Sequence, residues 1–171
     1  CTATVVGPRV IVTAAHCVRT GQKSTFKILG ESFETIGLRH PSYPRQDIDV
    51  AVGISEKEFG IDPYSIGIQK PLKDGVIDLF GYGCTKVGGG GGNDGVLRTG
   101  QTKVIYESGG NEHDFTMRHG AALCFGDSGG PAFKGLYQVG VNSKGNIEDT
   151  SYNLDLTGET VRAWLLKVTQ D

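Results

Sequence analysis

The stretch at residues 124–131, Cys-Phe-Gly-Asp-Ser-Gly-Gly-Pro, constrains this chain more than any other. It places Ser128 among three glycines and a proline, directly after an aspartate. Glycines on both sides of a serine allow a sharp backbone turn in which N–H groups point at one spot beside the hydroxyl. Such a turn can stabilise an oxyanion, whereas a solvated serine in a glycine-rich turn is the simpler interpretation. A base and an orienting carboxylate elsewhere in the chain would favour the first interpretation.

His16 is the strongest candidate for the base. It lies in the segment Val-Thr-Ala-Ala-His-Cys, directly after an apolar run at residues 10–12. A histidine beside apolar residues is more often a hydrogen-bonded core group than a catalyst, so this residue alone does not decide the question. His40 is a rival, but its neighbour Pro41 and its loop context favour a structural role.

Two aspartates compete for the role of the orienting carboxylate. Asp49 heads the apolar run Val-Ala-Val, and Asp47 lies two residues earlier. An aspartate that enters an apolar run must find a hydrogen-bond donor, because burying an unpaired carboxylate is costly. The N–H of an imidazole would be a suitable donor. The residues themselves do not decide which of the two aspartates receives it.

The order of these residues along the chain separates the known arrangements. All four histidines precede Ser128, which excludes the α/β-hydrolase order even though residues 126–130 formally match G-x-S-x-G. No aspartate precedes His16, which excludes the subtilisin order. The order histidine, aspartate, serine remains, and it is the order of chymotrypsin-like proteases.

The chain resembles the trypsin/chymotrypsin-like serine proteases. Thr-Ala-Ala-His-Cys at 13–17 and Gly-Asp-Ser-Gly-Gly-Pro at 126–131 are similar to the two signature motifs of that family. Weaker features follow in the expected order: His-Pro-Ser-Tyr at 40–43, Gly-Tyr-Gly at 81–83 and Trp164 in a C-terminal helix. The resemblance runs over nearly the whole chain and suggests a secreted member of bacterial type.

The resemblance implies an all-β fold of two packed antiparallel Greek-key β-barrels with a C-terminal α-helix. We expect one peptidase domain with an N-terminal barrel at 1–60, a connection at 61–74, a C-terminal barrel at 75–156 and a helix at 157–170. The 27 glycines among 171 residues suit a β-barrel with many turns. Thr157 is the expected N-cap of the helix. The glycine run 88–92 is expected to form a flexible surface loop, and 107–114 a polar turn.

The resemblance also implies the site residues. Ser128 would be the nucleophile, His16 the general base and Asp49 the carboxylate that orients it. Asp49 is preferred to Asp47 because Asp-Val-Ala-Val fits the family pattern better. The backbone N–H groups of Gly126 and Ser128 would form the oxyanion hole.

Specificity in this family depends on the S1 pocket, whose base lies six residues before the serine. Ala122 stands at that position, and Ser143 and Gly145 would line the wall. Without a buried anion, an arginine at P1 has no charge-assisted partner, so we expect uncharged P1 residues. Glu148 or Asp149 could fold into the pocket and restore a preference for basic residues.

The four cysteines allow three pairings. Cys1 and Cys17 resemble the family's disulfide beside the catalytic histidine, which leaves Cys84 to pair with Cys124. Free buried thiols are the alternative in a reducing compartment. We interpret the protein as secreted or periplasmic.

Family members normally carry further strands before the point at which this sequence starts, beginning with an N-terminus that proteolysis frees. That ammonium pairs with the aspartate before the serine, here Asp127. We therefore expect that the start of a zymogen-derived chain is missing, with Asp127 as the acceptor of the activation ion pair.

The composition limits the kinds of molecule that this chain is expected to bind. With 19 acidic and 17 basic residues, the net charge of −2 offers no broad attraction to nucleic acid or to an anionic membrane. We expect no cofactor and no metal, a monomeric state, protein or peptide substrates, and protein inhibitors as further partners. A protease-like binding protein without activity is the competing hypothesis, and a serine esterase is a third, disfavoured by the chain order.

Overall fold

The computed structural model describes residues 1–86, 89–106 and 113–169. The expected glycine loop lies partly outside the described residues, at position 88. Most of the expected polar turn at 107–114 and the last residue of the expected helix, 170, lie outside them as well.

Five antiparallel strands form the first sheet, in the order β1-β2-β5-β4-β3. β2 is a short apolar run that is buried along its whole length, and β3 alternates exposed and half-buried residues, as expected for a strand with one face towards solvent. The elements are β1 (Thr4–Gly7), β2 (Val10–Thr13), β3 (Lys23–Ile28), β4 (Glu31–Arg39) and β5 (Ala51–Ser55), with a single 3₁₀ turn at Ala15–Cys17 after β2.

Seven strands form the second sheet, in the order β10-β7-β8-β9-β12-β11-β6. Pairing between β10 and β11 closes six of them into a barrel, and the short β6 runs parallel to β11 outside it. The strands are β6 (Ser65–Ile66), β7 (Val76–Gly81), β8 (Arg98–Tyr106), β9 (Asp114–Arg118), β10 (Pro131–Lys134), β11 (Tyr137–Gly145) and β12 (Ser151–Asp155).

The C-terminal helix α1 spans Glu159–Thr169, and with it the predicted all-β architecture that ends in a helix is confirmed. The expected N-cap is wrong by one residue. The N–H of Arg162 donates to the carbonyl of Gly158, so the helix begins from Gly158. Thr157 instead donates its hydroxyl and its N–H to Asp155. Within the described residues, no helix has the length and apolar character needed to cross a membrane.

One hydrophobic cluster joins the two sheets and the helix. It combines residues from β2, from β5 and the segment before it, from the closed barrel, and from α1: Val12, Val50, Val52, Val141, Leu154, Val161 and Leu165 among others. A separate cluster fills the closed barrel itself. Asp49 lies between the fully buried Ile48 and Val50, at the edge of the joint between the two halves.

Candidate active site

His16 and Asp49 meet because their strands pair. β2 ends at Thr13 opposite Ala51, the first residue of β5, so the turn after β2, which carries His16, lies beside the two residues before β5, the first of which is Asp49. The carboxylate of Asp49 accepts the N–H of the His16 ring at Nδ1 (2.7 Å) and the backbone N–H of His16 (3.0 Å). The imidazole is 37% exposed while the carboxylate is 5% exposed, so a buried anion holds a ring that solvent and ligands can reach.

Ser143 adds a third donor to Asp49 from the opposite half of the molecule. Its hydroxyl donates to Asp49 Oδ2 at 2.7 Å from strand β11. Burial alone would raise the pKa of the Asp49 carboxyl, but the hydrogen bond and charge of His16 and the hydroxyl of Ser143 bring that pKa below its ordinary value. Asp49 is therefore a buried, ionised acceptor. Ser143 was expected only as a pocket wall, and its contact across 94 residues of sequence leaves no local pattern.

Asp47, the competing carboxylate, has a different partner. It adopts a left-handed backbone conformation (φ 52°), and its carboxylate forms an ion pair with the Lys144 ammonium. The structure thus brings Asp49, and not Asp47, to the His16 ring.

His40, the competing base, is a buried structural residue. Its Nδ1 accepts the backbone N–H of Ser42 at 3.0 Å, and its ring packs on Trp164 with centroids 5.0 Å apart. Burial, and to a lesser extent the charge of His113, lower the pKa of the His40 ring.

Ser128 lies in the loop between β9 and β10, close to the segment that carries His16. The carbonyl of Ser128 accepts the N–H of Thr2 at 2.7 Å. A Cβ on Gly129 would overlap Thr13 and lie 3.0 Å from the nitrogen of Ala14, so this glycine packs directly against the residues before His16. Within the described part of the chain, the hydroxyl of Ser128 makes no hydrogen bond, including with His16. Contacts of this kind are often long in unliganded sites and tighten when substrate binds.

The N–H groups of Gly126 and Ser128 donate to no group among the described residues. Gly126 has φ 97°, a conformation that glycine adopts without strain. The carbonyl of Phe125 accepts the N–H of Cys84 at 2.9 Å. In a planar trans peptide the N–H points opposite to the C=O, so the N–H of Gly126 is directed away from Cys84. Neither of the two N–H groups expected to form the oxyanion hole is therefore used in a hydrogen bond within the described residues.

The carboxylate of Asp127 lies in a cradle of backbone groups. It accepts the N–H of Gly83 at 2.9 Å and the N–H of Cys124 at 2.8 Å. A Cβ on Gly81 or Gly83 would overlap this carboxylate, so both glycines are needed for its close approach. Burial raises the pKa of Asp127, while the two backbone donors lower it and offset part of the rise.

A cavity of about 320 Å³ adjoins Asp127. Ala122, the expected base of the S1 pocket, lines it together with Glu148. The other two expected pocket residues, Ser143 and Gly145, are not among its lining residues. Asp149 does not line it either, and its carboxylate accepts hydrogen bonds from Asn146 and Thr150.

Two disulfides brace this region. They join Cys1 to Cys17, beside His16, and Cys84 to Cys124, beside the cradle of Asp127. These are the two pairings expected from the sequence. The second links the loop after β7 to the loop that carries Ser128, two segments whose cysteines lie 40 residues apart.

Asp114, the first residue of β9, is a buried carboxyl near the site that the sequence did not single out. Its side-chain Oδ1 has no partner among the described residues. Burial raises the pKa of Asp114 to about 7; Lys144 opposes this rise, while Asp47, Asp49 and other acids add to it. The carboxyl is therefore protonated in the folded protein at mildly acidic pH.

This protonation makes stability depend on pH. Because the pKa of Asp114 is higher in the folded than in the unfolded chain, the folded state binds more protons, and the free energy of unfolding falls as pH rises from about 4 to about 7. We expect the free energy of unfolding of Asp114→Asn, relative to that of the wild type, to increase by at most about 4 kcal/mol between pH 4 and pH 8. Urea unfolding of both proteins across this range measures it. A difference that does not change with pH would contradict the shifted pKa.

Comparisons with known proteins identify the family and the fold. A family model described as Trypsin matches residues 1–157 of the chain. The structure of neuropsin, a serine protease expressed in the limbic system of mouse brain, is similar with a TM-score of 0.83 and 19% sequence identity, over 99% of this chain and 89% of that chain. No curated protein sequence matches the chain. The likeness to neuropsin shows the fold, and the family model, which spans most of the chain, shows the family: the chain belongs to the trypsin family and is a serine endopeptidase.

Proposed function

We propose that the chain hydrolyses peptide bonds through the triad Ser128, His16 and Asp49 and an acyl-enzyme intermediate. The observation that carries this proposal is that the Asp49 carboxylate accepts two hydrogen bonds from His16, one from the ring Nδ1 and one from the backbone N–H. With its proton on Nδ1, the ring presents an unprotonated Nε2 that can take the proton of Ser128 as the hydroxyl attacks the scissile carbonyl. The imidazolium then protonates the leaving amine, and the anionic Asp49 stabilises it meanwhile.

The N–H groups of Gly126 and Ser128 would stabilise the oxyanion of each tetrahedral intermediate. Their lack of other acceptors in the described residues supports this role. Loss of one such donor typically costs about 3–4 kcal/mol in the transition state.

For specificity we propose a preference for uncharged P1 residues, with Ala122 at the base of the S1 pocket and Ser143 and Gly145 on a part of its wall that lies outside the cavity of Ala122 and Glu148. The ammonium of Lys144 is paired with Asp47, so it adds no unpaired charge to that wall. Glu148, which shares the cavity with Ala122, is the residue that would favour basic P1 groups instead. Amide substrates that differ only at P1 distinguish the two preferences.

Asp127 is proposed as the acceptor of an activation ion pair in a secreted zymogen. Its raised pKa supports this role, because a cation placed beside the carboxylate would offset the cost of its burial. We further propose that the protein is a monomer, acts in the secreted or periplasmic space and meets protein inhibitors there.

Intact-mass analysis after treatment with a fluorophosphonate tests the proposed mechanism. We expect the full native chain to gain one adduct and Ser128→Ala to gain none, because only a serine activated by a base reacts. A folded protein with a freed N-terminus that gains no adduct would contradict the triad and favour the inactive binding protein. An adduct that persists in Ser128→Ala would place the reactive group elsewhere.

A further inference from the structure

The three carbonyl oxygens that precede Ser128, those of residues 125–127, are each held by a distant segment. The backbone N–H of Cys84 donates to the first at 2.9 Å, the hydroxyl of Thr2 to the second at 2.9 Å and the side-chain amide of Asn142 to the third at 3.2 Å. The N–H groups of the first and third of these peptides are the two proposed oxyanion donors. Two of the three contacts thus come from side chains, and neither side chain belongs to the triad.

Thr2 contacts both residues of the proposed oxyanion hole. The residue is 3% exposed. Its hydroxyl donates to the carbonyl of Gly126 and accepts the N–H of Tyr82 at 3.3 Å, while its own N–H donates to the carbonyl of Ser128 at 2.7 Å. Because donor and acceptor functions of the hydroxyl are both used, its rotamer is determined by these contacts.

Asn142 is fully buried, and its side chain is also fully used. The amide donates to the carbonyl of Asp127 and, at 3.1 Å, to the carbonyl of Phe80, and its oxygen accepts the amide of Asn153 at 3.0 Å. A buried side chain with three partners is held in one orientation, because each lost bond would leave an unpaired polar group. Gly130 makes room for it, since a Cβ there would lie 3.1 Å from the amide nitrogen.

These contacts set the directions of the two N–H groups. The N–H of Ser128 belongs to the peptide whose carbonyl accepts the Asn142 amide and, at 3.1 Å, the backbone N–H of Gly130, and it points to the opposite side. The peptide after Gly126, whose carbonyl Thr2 holds, connects the two donor peptides, so its orientation sets the angle between them. Gly126 itself has no side chain that would restrict its rotation.

We propose that Thr2 and Asn142 are positioning residues that hold the oxyanion N–H groups in their productive directions. The inference rests on the proposed role of Gly126 and Ser128. Both side chains are buried, so we infer that they act through the backbone and not by contact with substrate. Removal of either contact should lower kcat by about 10- to 100-fold and leave KM within about 3-fold of the wild-type value. This decrease in kcat is no larger than the one caused by removing an oxyanion donor itself.

Thr2→Val and Thr2→Ser form the first matched pair. Valine keeps the shape of threonine without the hydroxyl, and serine keeps the hydroxyl. We expect the loss of kcat in Thr2→Val and its recovery in Thr2→Ser, measured per active site by fluorophosphonate titration. Equal losses in both variants would overturn the role of the Thr2 hydroxyl.

Asn142→Leu and Asn153→Leu form the second pair. Both break the bond between the two asparagines, but only the first removes the donor to Asp127. We expect Asn142→Leu to lose kcat and Asn153→Leu to keep it within about 3-fold. If Asn142→Leu does not fold, Asn142→Ser, which is smaller and polar, takes its place in the same comparison.

Binding of a peptide aldehyde separates positioning from loss of structure. Its hemiacetal oxygen occupies the oxyanion site, so its Kd should rise by the same factor by which kcat falls. A variant that merely unfolds in part would lower the titrated fraction of active sites and not the affinity of the sites that remain. Variants that match the wild type in kcat and in aldehyde affinity would overturn the inference. A wild type that gains no fluorophosphonate adduct would instead contradict the proposed function.

Discussion

Asp49→Asn should lower kcat by about 10⁴-fold, the loss that a wrongly held imidazole tautomer causes in Ser-His-Asp enzymes. The asparagine amide has the shape of the carboxylate but carries no charge and can donate a hydrogen bond. It would no longer enforce a proton on Nδ1 of His16, and it would not stabilise the imidazolium. Initial-rate kinetics on an amide substrate measure kcat and KM separately, and we expect the change in kcat to dominate.

Asp47→Asn is the matched control for this prediction. It makes the same chemical change two residues away, in a carboxylate that pairs with Lys144 and does not contact His16. Because an exposed ion pair contributes little, we expect kcat to stay within about 3-fold of the wild type. The reverse result, a large loss in Asp47→Asn and a small one in Asp49→Asn, would assign the triad acid to Asp47.

Gly129→Ala should destabilise the folded protein by about 2–5 kcal/mol, the sum of overpacking and of a left-handed backbone at a residue with a Cβ, and a large part of the stability of an ordinary domain. Gly129 has φ 87°, and its added Cβ would overlap Thr13 Oγ1 and the carbonyl oxygen of Thr2. The carbonyl belongs to backbone that is fixed by hydrogen bonds, so the overlap cannot be relieved by a side-chain rotation. Urea unfolding followed by tryptophan fluorescence measures the loss.

Gly135→Ala separates crowding from backbone strain. Gly135 also has a positive φ of 61°, but a Cβ there would meet nothing within 4 Å. We expect a cost of only about 1–2 kcal/mol, the part due to the left-handed conformation. If the two variants were equally stable, the close packing of Gly129 against the His16 segment would not hold.

The motifs around His16 and Ser128 carry most of the information that the sequence holds on its own. The apolar run that precedes His16 becomes the buried strand β2, and the glycines around Ser128 form the sharp turn. These features are local: a run of apolar residues or a glycine at a positive φ is written into consecutive positions. The order of the two motifs then excluded the other serine-hydrolase arrangements, and the fold class followed from the resemblance.

The choice between Asp47 and Asp49 depended on tertiary structure. Both are aspartates beside apolar residues, and only the pairing of β2 with β5 brings one of them to the His16 ring. The error at Thr157 has a local origin, because Asp155, two residues earlier, accepts its hydroxyl and its N–H, and the helix begins from Gly158. Where several local partners are chemically equivalent, packing selects among them.

The sequence by itself determined the two motifs, their order and the elements that contain them. Only the tertiary structure decided how the site is held together: Ser143 on Asp49, Thr2 on Gly126, Asn142 on Asp127. These contacts join residues that are 94, 124 and 15 positions apart in the sequence. A hydrogen bond needs two groups within about 3 Å in the right orientation, and sequence spacing carries no such information for residues on separate strands and loops.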